Sequence, residues 1–376
     1  MPSSIHTPDW HLLDSAFPDA NRGLTPPRRN LTTAGATLRI ANLDRADPPG
    51  YKPGDYVRGP FNSNVFAITA EPCMPLIGVQ CETAGFDPAT TPIEWRLVCR
   101  NILCRHTNSA GYRYKGATET FDREWRGCSS TPTFGLFAPD CQCTYNGSGC
   151  VLGGHALLMV AVKVGGEALV DYVHLRIAGT NPGPPEVLRY LDGRLAGYDP
   201  NVASMVRAVF RHESNFRQFS AGVQSSSLMK FTRVHHNNPA QTDCPVRFDF
   251  PDDPAGFPLA SFDFGVGISQ WTEVGTQRVT ADIAWDWREN IRLGANHLLG
   301  ALARCLKPGI TWQQAAKSAW TKYNGSGAAA VAYAARLAGS PDGKAITAAV
   351  VPQDLRQVAL FEPPPVLAEP APWSYS

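Results

Sequence analysis

The sequence predicts an α+β multidomain protein: a cysteine-rich β-sandwich or small barrel, then an α-helical domain. Three observations carry this reading. Period-two alternation and eight of the ten cysteines crowd into the first half. A dense cluster of turn residues, Gly179-Thr-Asn-Pro-Gly-Pro-Pro185, closes that half. Beyond it, apolar residues recur at helical spacing. With 376 residues the chain is long enough for two domains that each bury a core. The expected boundaries are an extended arm over 1–50, the β domain over 51–180, a linker over 181–198, the helical domain over 199–340 and a Pro-rich tail over 341–376.

Basic and acidic residues number 34 and 33, so the charge balance carries no footprint for nucleic acid. No apolar run approaches the ~20 residues that span a bilayer. The opening Met1-Pro-Ser-Ser-Ile-His-Thr-Pro-Asp-Trp10 has neither the basic nor the apolar region of a Sec signal peptide.

Residues 1–50 are rich in Pro, Asn and Arg and read as an arm lying on the body, with one short alternation at Thr37-Leu-Arg-Ile40. In Ile93-Glu-Trp-Arg-Leu-Val-Cys99 the apolar side chains share one face and Glu94 and Arg96 the other, the pattern of a half-buried strand. Leu158 to Ile177 reads as a hairpin turning on Gly165-Gly166. Tyr112, Tyr114 and Trp125 either pack within strands or stack on sugar rings. Cys73, Cys81, Cys99, Cys104, Cys128, Cys141, Cys143 and Cys150 read as a disulfide framework, with Cys244 and Cys305 as a further bridge. Zinc is the competing reading, on Cys99, Cys104, His106, Cys141 and Cys143, although the spacings differ from the usual knuckles.

In the second half Asp199-Pro200 sets an N-cap and a first helical residue. Val202, Met205, Val206 and Val209 then mark one buried face. Glu213 follows Val202 by 11 residues, almost on the same line at about 3.6 residues per turn. A carboxyl on an apolar stripe is expected to keep its proton more readily and to act as a general acid. Read alone, a Glu at the end of an amphipathic helix is usually a surface charge, because charged residues are rarely fully buried without a partner. Residues 220–263 form a long polar interval containing His235-His236. After it comes Gly265-Val-Gly-Ile-Ser-Gln270, whose glycines permit a sharp bend and close approach of a ligand. Gln270 offers both a donor and an acceptor. A core helix is expected over 285–302, carrying Asn290. Thr311 and Gln314 form a capping box opening the next helix, which ends at Tyr323-Asn324-Gly325. An Ala-rich helix over 328–337 follows.

Glu213-Ser214, the Gly-x-Gly-x-x-Gln element, Asn290 and Tyr323-Asn324, in this order, resemble the lytic transglycosylase and goose-type lysozyme superfamily. The resemblance covers residues 200–338. It implies an α-helical lysozyme-like domain that cleaves the β-1,4 bond of peptidoglycan, without metal or organic cofactor. On that reading Glu213 is acid and base, and Ser214, Tyr323 and Asn324 support it. Gly265, Gly267, Ile268, Ser269 and Gln270 line the groove, with the phenol of Tyr323 facing Glu213. Ser269 departs from the family's signature and predicts a more polar groove floor. The long interval is another departure and reads as a lid or glycan selector. The transglycosylase branch works with one Glu and the substrate's N-acetyl group, forming a 1,6-anhydro sugar. The hydrolytic goose-type branch would call on Asp263 or Glu273 as a second carboxylate. A non-catalytic glycan-binding protein on the same fold is the reading from a different class. Such an enzyme would be secreted, or delivered to the periplasm without a Sec signal, as an antibacterial effector or a phage lysis enzyme. Its partners would be glycan strands, an immunity protein, and a secretion or phage component.

Overall fold

The computed structural model describes residues 28–33, 35–44, 65–68, 70, 72–106, 114–136, 151–220, 256–259, 265–272, 278–352 and 361, without the side chains of 100–122 and 155. The chain is a mixed α+β protein. Its strands are β1 (Thr32–Thr33), β2 (Ala36–Asp44), β3 (Val65–Ile68), β4 (Ile77–Ala84), β5 (Ile93–His106), β6 (Tyr114–Ser129), β7 (Thr133–Leu136), β8 (Gly154–Val164) and β9 (Glu167–Gly179). The helices are α1 (Pro184–Arg194), α2 (Pro200–Ser214), α3 (Ala281–Trp285), α4 (Trp287–Ala303), α5 (Trp312–Asn324), α6 (Gly327–Gly339) and α7 (Pro341–Lys344).

One sheet runs β1-β2-β4-β7 and the other β3-β9-β8-β5-β6, with β3 parallel to β9. The β8–β9 hairpin has the expected register, Val164 opposite Glu167 across the Gly165-Gly166 turn. Leu38, Ile77 and Val79 from the first sheet pack in one buried cluster with Ile93, Leu97, Leu158 and Leu175 from the second. Leu157, Met159 and Ala161 are also fully buried, on the opposite face of β8. Burial on both faces explains why this strand reads as a continuous apolar run.

The segment expected as an arm differs where it is described: Ala36–Asp44 is a paired strand with a bulge between Ile40 and Asn42. Its anchor is Asp171 on β9, which accepts from Ile40 N at 2.8 Å and Arg29 Nε at 2.7 Å. Trp125 packs against the core rather than standing clear of it. Tyr112 and the side chain of Tyr114 lie outside the described residues.

The cysteines also correct the expectation. Cys81, Cys128 and Cys305 are thiols. Cys99 donates its S–H to the Leu152 carbonyl at 3.7 Å. Alternation turns Cys81 and Cys99 inward with the aliphatic residues of β4 and β5, where each serves as a small apolar side chain. Burial, then the charge of Asp171, pushes the Cys81 thiol up to about 12. Cys141, Cys143, Cys150, Cys244 and the side chain of Cys104 lie outside the described residues.

The second half is helical, and its start is legible locally: Asp199 caps α2 by accepting from Asn201 N. Pro184–Arg194, expected as linker, is helix α1, with Val187 and Leu191 buried in the helical cluster. The predicted helix over 285–302 is interrupted at Asp286, which is extended and caps α4 from its side chain. The beginning of the expected tail also belongs to the body: Val351 N donates to Ile310 O, and Phe361 pairs with Asn296. Among the described residues no helix is long and apolar enough to cross a membrane.

The halves share apolar packing. Val279, Ile283, Ala284 and Trp285 join the cluster built by the sheets. A Cβ on Gly153 would lie 2.0 Å from the Trp285 ring, so only glycine fits there. Trp287 Nε1 donates to Ala70 O at 2.6 Å.

Candidate active site

Helix α2 ends in a reversal that sets the site. Asn215 and Phe216 take φ of 53° and 62°, a region side chains other than Asn and Asp rarely visit. The turn buries Phe216, with Arg211 5.0 Å from its ring. Glu213, half-buried one residue before the helix end, accepts a hydrogen bond from Tyr333 Oη at 2.5 Å. Burial, then the Glu213 charge, raises the phenols of both Tyr333 and Tyr323. The carboxylate therefore acts on two tyrosines from two different helices.

Ser214 points the other way, donating to the Ile268 carbonyl at 2.9 Å and so tying α2 to the glycine bend. The bend is a tight hairpin in which Val266 and Trp271 exchange backbone hydrogen bonds at 2.9 and 3.0 Å. Gly267 has φ 72°, and a Cβ there would lie 2.4 Å from Gln218 Oε1 and 2.5 Å from Asn290 Nδ2. Those two amides hold the bend. Gln218 accepts from Ile268 N, while Asn290 accepts from Ser269 N and donates to the Val266 carbonyl.

Several expected roles change. Ile268 and Ser269 are fully buried and face the body of the fold. The Ser269 hydroxyl bonds Asn290, so it adds no polarity to a groove floor; Gly294 leaves it room, since a Cβ there would meet Ser269 at 2.2 Å. Gly265 and Gly267 are buried as well. Tyr323 donates to the Ser269 carbonyl at 2.7 Å, and the phenol bonded to Glu213 is Tyr333. The reason is geometric: Tyr323 closes α5 over the bend, whereas α6 presents Tyr333 to the end of α2. Asn324 is exposed at the end of α5. Asp263, Glu273 and His235-His236 lie outside the described residues. Sequence reading missed Tyr333, although Ala330, Tyr333, Ala334 and Leu337 form the buried stripe of α6 and only one of them carries a polar atom.

Gln270 and Trp271 leave the bend. Gln270 has φ 48° and donates from Nε2 to the Gly267 carbonyl at 2.8 Å, while its Oε1 is buried and has no partner among the described residues. Trp271 is 8% exposed, and its Nε1 is likewise buried, with no partner among the described residues. An unpaired buried N–H costs about 1–3 kcal/mol. His297 stands edge-on between Trp271 and Tyr323, with ring centroids 5.9 and 5.2 Å away. Burial, then Arg304, lowers its pKa. The described residues hold no group of three or more His, Cys, Asp or Glu able to bind a metal.

Compared with known protein families, curated proteins and solved structures, the chain has no match in any of the three.

Proposed function

We propose that the chain cleaves the β-1,4 bond between MurNAc and GlcNAc in peptidoglycan as a lytic transglycosylase, with Glu213 as its single acid and base. The hydrogen bond from Tyr333 to Glu213, beside a bend tied to the same helix through Ser214, is the observation that carries the reading. The phenol holds one carboxyl oxygen in a fixed direction, as proton transfer requires. In the reaction the bond from C1 to the bridging oxygen breaks as that oxygen takes the Glu213 proton. The substrate's acetamido group supports the electron-poor C1. Glu213 then takes the proton of the 6-hydroxyl, whose oxygen closes on C1, so no water is consumed and the carboxyl is restored. The resemblance of the ordered motifs over 200–338 supports the same reading. The substrate lies outside the cytoplasm, so delivery as an effector or phage lysis enzyme, with an immunity protein in the producer, belongs to the proposal.

The test is Glu213→Gln on purified peptidoglycan. Turbidity is expected to fall with the parent and to hold steady with the variant. Equal clearing by both would remove the catalytic role, and no clearing by either would leave the glycan-binding reading. Released fragments are expected to end in anhydro sugars, lighter by one water than the reducing ends of the hydrolytic alternative.

A further inference from the structure

We propose that Asn296, Tyr198 and Arg194 form a peptide-reading pocket for a phenylalanine and its main chain, filled in this molecule by the chain's own Phe361 as an exchangeable ligand. The pocket is separate from the glycan-cleaving reading and stands or falls without it. Phe361 is 4% exposed and belongs to the helical cluster. Its flanks, 353–360 and 362–376, lie outside the described residues. The Asn296 side chain holds both main-chain groups of this one residue: Oδ1 accepts from Phe361 N at 2.6 Å, and Nδ2 donates to Phe361 O at 2.9 Å. A residue in an antiparallel ladder exchanges the same two bonds with its neighbour, so the amide stands in for an adjoining strand. Bonds of this kind read a backbone whatever side chain it carries. The side chain is read separately. Tyr198 meets the Phe361 ring edge-on with centroids 5.8 Å apart, and the Arg194 guanidinium lies 5.6 Å from the centre of the Phe361 ring. An aromatic edge and a cation together favour a ring over an aliphatic side chain.

The pocket is built without its occupant. Arg194 closes α1, Tyr198 lies just before the Asp199 cap of α2, and Asn296 projects from α4. Tyr198 N donates to Leu195 O at 2.9 Å, which fixes the connection. Leu191, Val202 and Leu298 anchor the same three helices in the shared core. Phe361 arrives from 65 positions beyond Asn296. A site that is preformed by other elements loses little shape when its ligand leaves, so a matching segment from another molecule can take the place of Phe361.

The test vacates the pocket and refills it. A fluorescent peptide of residues 357–365, Gln-Val-Ala-Leu-Phe-Glu-Pro-Pro-Pro, is titrated by anisotropy against the full chain carrying Phe361→Ala. Saturable binding is expected. The parent should bind the peptide about ten- to a hundredfold more weakly, since its tethered Phe361 competes at an effective concentration in the millimolar range. The same peptide with Phe361→Ala should not bind. Adding Asn296→Leu to the vacated chain keeps the bulk but deletes both bonds, and should weaken the peptide by about tenfold or more. Equal affinity of parent and vacated chain, no saturable binding by a folded vacated chain, or indifference to either of the last two changes overturns the pocket. Where Phe361→Ala does not fold, hydrogen exchange of the parent decides. Excess peptide should speed exchange of the Phe361 amide while α4 stays protected, and an unchanged rate at that amide overturns the proposal as well.

Discussion

Tyr333 and Glu213 join two helices through one hydrogen bond, and hydrogen bonds to charged groups contribute more than neutral ones. Removing the hydroxyl with Tyr333→Phe is expected to lower kcat on peptidoglycan by about ten- to a hundredfold, in line with a bond of about 1.5–3 kcal/mol. Because the phenol acts through the carboxyl, adding the change to Glu213→Gln should cost little more, and a double-mutant cycle measures that coupling. Independent, additive losses would separate the two groups. Cys81 supplies another prediction at this scale. Held up at about 12 by burial and by Asp171, its thiol should resist iodoacetamide at pH 8 in the folded chain and react once urea unfolds it. Rapid labelling of the native protein would contradict the buried position. The three residues other than glycine with positive φ, among those described, are Asn215, Phe216 and Gln270, and all flank the site. Strain of this kind is kept where the surroundings enforce it and commonly accompanies function.

Helix α4 begins at Asp286, whose carboxyl accepts from the backbone N–H groups of Arg288 and Glu289. Burial pushes this carboxyl up to about 7, against the pull of those hydrogen bonds. Its folded pKa is thus raised above the unfolded value of 3.8, so between those two pH values the folded chain binds the extra proton. Stability therefore falls as pH rises from about 4 to about 7 and levels off above. Asp286→Asn keeps a good cap and removes the titration. In urea denaturation the variant should gain on the parent across that window, by up to about 4 kcal/mol; parallel curves for the two proteins would refute the assignment. Elements governed by neighbours in sequence were legible beforehand: the Asp199 cap, the Thr311 capping box and the Gly165-Gly166 hairpin each follow from a few adjacent side chains. The carboxyl and the bend were legible too, because Glu213-Ser214 and the paired glycines occur as a recognisable series. Tyr333 was not, since its partner is 120 positions away and its helix reads as plain alanine. Nor were the thiols, because a strand cysteine facing a core and one facing a bridge share the same period-two pattern.

In the whole molecule, Trp285 does what the sequence reserved for a linker: it brings the second half into the core of the first. Gly153→Ala would drive a methyl into that ring, and overpacking of this kind costs about 1–3 kcal/mol. Since the contact is shared, thermal unfolding of the parent is expected as one transition by both near- and far-ultraviolet circular dichroism. Gly153→Ala should lower it as a unit, whereas two separated steps in the parent would mean that the halves unfold independently. Residues 218–220 pair with 256–259 through Ser220 and Phe257, Gly256 and Ser220, and Leu259 and Gln218. The chain thus leaves and re-enters at adjoining doorways, and the closure entropy of whatever lies between rises only slowly with its length. A change in the length of that stretch is therefore expected to cost little in chain closure, with the paired threshold setting where the two ends meet, a few residues downstream of the carboxyl.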